Sequence, residues 1–94
     1  MLRAQQRVKQ HLKNLGYTNI YIVQHTRWSK DIAVDNARFD GIALKPKEKP
    51  LFFQVKSNAF PVLKPFKTVA YKYYNIRVAL FVWKDHKGLV ERYF

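Results

Sequence analysis

The chain has 94 residues, enough for one domain with a modest core and too few for two. Apolar residues make up 48% and aromatics 16%, which excludes a disordered chain. Eighteen Lys and Arg against six Asp and Glu leave a net charge of +12, a field that favours a polyanionic partner, nucleic acid ahead of an anionic membrane. The longest uninterrupted apolar run, residues 78–83, is six residues, whereas a membrane span needs about twenty. No cysteine is present, so a disulfide framework and a thiolate zinc site are both excluded.

Residues 2–15 carry Ala4, Val8, Leu12 and Leu15 on one stripe, which predicts an amphipathic helix with Gly16 as its C-cap. This polar N-terminus does not read as a signal peptide, and the cytoplasm is the expected location. "NIYIVQH" (19–25) has the β-branched and aromatic content of a strand. The polar connection "TRWSKDIAVDNA" follows, with room for a short extended piece. "RFDGIALK" (38–45) and "PLFFQVKS" (50–57) read as strands two and three, antiparallel because the turn between them is short. A loop leads to a second helix from about Pro65, with Phe66, Val69, Ala70 and Tyr73 on its apolar face. "RVALFVW" (77–83) is apolar throughout, as a strand buried on both faces would be, and "KDHKG" turns it into "LVERYF". The expected order is α-β-β-β-α-β-β: one α/β domain spanning 1–94, with a mixed central sheet, flanking helices and a parallel crossover through the second helix.

Chemistry enters through the third strand. Alternation puts Gln54 and Lys56 on one face with Phe52, and Leu51, Phe53 and Val55 on the other. A buried lysine needs an anionic neighbour or a route to solvent, and Asp40, fourteen residues before Gln54, is the nearest candidate upstream. Counting outward from Glu48 in the turn places Asp40 eight residues back and Lys56 eight forward, so the three can meet on one face. An aspartate and an amide oxygen are hard donors suited to Mg2+ or Mn2+. A lysine beside them can hold an attacking water or offset charge developing on a phosphate. The plain alternative is an edge strand whose outward face is simply wet.

A first helix, strands carrying Asp and then acid-x-Lys, and a further helix and strand together resemble the PD-(D/E)xK nuclease superfamily over residues 2–83, with "RFDGIAL" and "LFFQVKS" at its two motif strands. In size and element order the chain is most similar to the small archaeal Holliday-junction resolvases. The resemblance implies a restriction-endonuclease-like fold and Mg2+- or Mn2+-dependent hydrolysis of DNA phosphodiesters, with branched DNA among the substrates. It implies a catalytic set of Asp40, Gln54 and Lys56, with Asp40 and Gln54 on the metal, and a homodimer that makes two cuts. Two positions depart from the pattern. Gln54 stands where the family has its second acid, and the helix-1 glutamate of the resolvases is matched only by Gln5 or Gln6 in "AQQRV". Gln6 is taken as the possible helix-1 site position, and either Asp31 or Asp35 could join Asp40.

Cations that could contact phosphates are Arg3, Arg7 and Lys13 on the first helix, Arg27 and Lys30 in the loop with Trp28, Arg38 on the second strand, and Lys72 on the second helix. Tyr71 and Tyr74 in "YKYYN" could stack on unpaired bases. His11, His25 and His86 have no metal-site spacing, and no Ser/His/Asp set is recognisable. Besides a deoxyribonuclease, two readings stay open: a nuclease-fold module that only binds nucleic acid, RNA included, and a basic RNA-associated structural protein.

Overall fold

A computed structural model describes residues 3–23 and 31–94. Helix α1 (Arg3–Asn14) leads into β1 (Asn19–Ile22), followed by β2 (Ile32–Val34), β3 (Ala37–Phe39), β4 (Gly41–Leu44), β5 (Leu51–Ser57), α2 (Lys64–Lys72), β6 (Arg77–Lys84) and β7 (Gly88–Tyr93). Five strands form a mixed sheet in the order β1-β4-β5-β6-β7, and β2 and β3 form a separate hairpin. Within the large sheet β5 and β6 run parallel, joined by α2, and its other neighbours are antiparallel. The molecule is thus mixed α/β, with two more short strands than the sequence suggests. None of its described helices is long and apolar enough to cross a membrane.

One of the two extra strands, β2, lies in the connection left open for a short extended piece, and the other arises at one residue. The run expected as a single strand over 38–45 breaks at Asp40, with β3 before it pairing β2 and β4 after it pairing β5. Of the strand expected over 19–25, β1 covers Asn19–Ile22, and residues 24 and 25 lie outside the described residues.

Helix α1 stops as its glycine dictates. Gly16 adopts φ +98°, its N–H donates to the Lys13 carbonyl (3.0 Å), and the Tyr17 N–H reaches back to that of Leu12 (3.1 Å). This is a Schellman ending, which swings Tyr17 under the helix to pack with Leu12. Leu15, expected on the buried stripe, therefore falls in the cap and is 43% exposed, while Tyr17 closes the core in its place.

Strand alternation divides the core between the faces of the sheet. Leu51, Phe53 and Phe81 pack with Val8 and Leu12 of α1, and Phe39, Phe66, Val69 and Val78 pack beneath α2 and the small hairpin. Residues 78–82 are all buried, as the apolar run requires. Phe39 stands edge-on to both Phe52 and Phe66 at 5.6 Å between centroids and is fully buried. Phe39→Ala is expected to cost about 3–5 kcal/mol, read as a lower urea midpoint, because it opens a cavity and removes two ring contacts.

Candidate active site

The bend at Asp40 is held by backbone groups of β5 and of the residue that follows β1. The Asp40 carbonyl accepts the Val23 N–H (2.7 Å), its N–H donates to the Phe53 carbonyl (2.8 Å), and its Oδ2 accepts the Val55 N–H (2.7 Å). The side chain thus takes a donor of β5 that a regular strand would give to a backbone carbonyl. That substitution ends β3 and starts β4, and it fixes the carboxylate against the chain of Gln54 and Val55.

The registers place its neighbours. One step beyond Gly41–Phe53, Asp40 faces Gln54, and one step beyond Ile22–Gly41 it meets Val23; Asp31, one residue before β2, borders the same cavity as Asp40. The β4–β5 pairing centres its turn on Lys47, at φ +67°, rather than on Glu48, so Asp40 lies opposite Gln54, two residues short of Lys56. Glu48 is occupied in that turn by Lys45 (3.3 Å) and Arg77 (3.9 Å).

Asp40, Gln54 and Lys56 border one open cavity of about 310 Å3, together with Gln5, Asp31 and Ser57. Asp40 is 6% and Gln5 5% exposed, whereas Lys56 reaches solvent. Solvent access answers the difficulty of a lysine on an apolar strand: its ammonium stays wet at the cavity mouth. The set of donors, two carboxylates and two carboxamides, fits a hard divalent cation such as Mg2+ or Mn2+. Among the described residues no three His, Cys, Asp or Glu side chains form a metal group, so an ion held here would draw on amide oxygen as well as carboxylate.

Helix α1 reaches the cavity through Gln5 rather than through Gln6, the position taken from the sequence. Gln5 lies on the buried stripe with Ala4, Val8 and Leu12, and Gln6 is exposed. The signal was present in the sequence, since residues 5, 8 and 12 repeat at i, i+3 and i+7. Of the two uncertain aspartates, Asp31 joins Asp40 and Asp35 does not. Asp35 sits in the turn of the small hairpin at φ +52°, bound by Lys72 Nζ (3.3 Å) and the Tyr73 hydroxyl (3.4 Å). The bond to Asp35 and its charge raise the Lys72 pKa above its ordinary value.

The remaining cations divide by place. Arg3, Arg7, Lys13 and Arg38 are exposed. Arg7 lies 4.8 Å over the Trp83 ring, and Trp83 pairs with Ser57, so Arg7 stands at the same end of β5 as Lys56. Lys13 is about 15 Å further along the helix axis than Arg3. Arg38 is two residues before Asp40. Arg27, Lys30 and Trp28 lie outside the described residues. Tyr71 and Tyr74 are exposed, while Tyr73 packs against the second core cluster.

Two further groups take structural parts. Glu91 Oε1 is bound by His11 Nε2 (2.7 Å) and by the Tyr93 hydroxyl (2.8 Å), which ties α1 to β7. Burial and the bond to Glu91 push the Tyr93 phenol well above its ordinary range, keeping it neutral. The chain matches no protein family model, no curated protein and no solved structure.

Proposed function

We propose that the protein is a metal-dependent endodeoxyribonuclease of restriction-endonuclease-like architecture, acting through Asp40, Gln54 and Lys56. One observation carries the reading: these three residues, separated in sequence, border a single cavity where two paired strands meet. The resemblance of "RFDGIAL" and "LFFQVKS" to the PD-(D/E)xK motif strands supports it, and so does the net charge of +12.

Asp40 and the Gln54 carbonyl oxygen would hold Mg2+ or Mn2+, the carboxylate kept in place by the Val55 N–H. Held there, such an ion would supply Lewis acidity toward a phosphate oxygen. Lys56, exposed beside the cavity, can orient the attacking water by donating a hydrogen bond from its side-chain nitrogen to the water oxygen. It can also balance the charge that grows on the phosphate. Arg3 and Arg7 grip backbone phosphates without reading sequence. Branched DNA is the substrate that the resemblance implies, cut in two strands by a homodimer, in the cytoplasm.

Lys56→Ala separates this role from simple charge attraction. Cleavage should fall on the order of 100-fold, while affinity for a labelled duplex at fixed salt changes by less than about 3-fold, because one phosphate contact among many carries little of the total. Parallel losses in both would contradict the assignment.

A specific observation favours a second reading, a nuclease-fold module that holds nucleic acid without cutting it. The cavity has Gln54 and Gln5 at the two positions where the family has acids. Salt-sensitive binding with no divalent-dependent cleavage would select that reading.

A further inference from the structure

The same cavity raises a question that the motif leaves unanswered: what replaces the negative charge missing at position 54? We propose that Asp31 supplies the second carboxylate of the ion site, delivered from the open end of the β2–β3 hairpin. The inference rests on the nuclease reading above and adds a ligand to it.

Gln54 of β5 stands one step beyond the Gly41–Phe53 pair, opposite Asp40, and Asp31, one residue before β2, borders the same cavity. Both acids border the cavity that Lys56 and Gln5 also border. Positions 31 and 54 are then alternative places from which to bring a second charge to the same Asp40. A carboxylate at 31 makes an amide at 54 tolerable, because it keeps the number of charged ligands that sets divalent affinity. The small hairpin gains a purpose as well. It carries Asp31 at its open end, and its turn is fastened to α2 through Asp35, Lys72 and Tyr73.

The test is Mn2+ binding to the purified full chain without DNA, read from loss of the free-ion EPR signal. Asp31→Asn should weaken binding by about 10-fold or more, and adding Gln54→Glu to it should restore affinity to within about 3-fold of wild type. Asp31→Glu, which keeps the charge, guards against a folding defect and should bind within several-fold of wild type. Asp35→Asn should bind as wild type does. If Asp31→Asn binds Mn2+ normally while Asp40→Asn does not, the inference fails and the nuclease reading stands. Weakened binding in Asp31→Asn that Gln54→Glu does not recover also overturns the exchange. A wild-type chain that binds no Mn2+ overturns both.

Discussion

Asp40→Asn is expected to lower cleavage by about 1,000-fold while leaving DNA affinity within about 3-fold of wild type. The change removes one negative charge from the ion site yet keeps an oxygen that can accept the Val55 N–H, so the bend between β3 and β4 survives. Binding should persist because the cations proposed to contact phosphates lie on other elements, the exposed Arg3 and Arg7 among them. Asp40→Ala should show the same loss with a further defect. It leaves the part-buried Val55 N–H without its acceptor, a cost of about 1–3 kcal/mol. The pair of variants therefore separates the chemical role of the carboxylate, common to both, from its structural role, seen only in alanine. Equal stability of the two variants in urea would contradict the structural half, and full activity in Asp40→Asn the chemical half.

Gly41→Ala should unfold the site outright. A Cβ on Gly41 would lie 2.2 Å from the Tyr21 carbonyl oxygen and 2.6 Å from the Phe53 ring. The first obstacle is backbone of β1 and the second a fully buried core side chain, so neither can swing aside. Relief requires β1 to part from β4 or Phe53 to leave the core. Either costs about 3 kcal/mol or more, enough to take away much of the stability of a domain this size. Both movements also displace Asp40, one residue earlier, from the Val55 N–H. The expected result is a large drop in the urea midpoint, with no cleavage from whatever fraction stays folded. A wild-type midpoint would show that β1 and β4 approach less closely than described. Nothing in the letters 38–45 announces this glycine, because its need comes from a neighbouring strand and not from a turn or a left-handed φ.

That contrast explains what was legible in the sequence. Features set by local periodicity came through: the stripe of α1, the apolar run of β6, the position of Pro65 in the first turn of α2, and the short hairpin that makes β4 and β5 antiparallel. Features set by a long-range hydrogen bond did not. The break at Asp40 depends on the Val55 N–H, fifteen residues away, and without it 38–45 reads as one strand. The exposure of Leu15 follows from the Schellman ending, which overrides the helical stripe one residue past the last turn. Asp31 and Asp35 could not be told apart because each flanks a strand of only three residues, too short to show alternation. In the fold Asp31 borders the cavity with Asp40, and Asp35 sits in the hairpin turn, bound by Lys72. Gln5 was legible and misassigned: its spacing to Val8 and Leu12 places it on the buried stripe, with Gln6 turned away.

The central claim is that this cavity hydrolyses DNA, and one measurement tests it most directly. Labelled duplex, single-stranded and four-way-junction DNA are incubated with the wild-type chain and with Asp40→Asn, with Mg2+, with Mn2+ and with EDTA. The account predicts cleavage by the wild type with either ion, none with EDTA, and a loss on the order of 1,000-fold in Asp40→Asn at nearly unchanged binding. Tight binding of these DNAs with no divalent-dependent cleavage, or cleavage that Asp40→Asn retains in full, would contradict it.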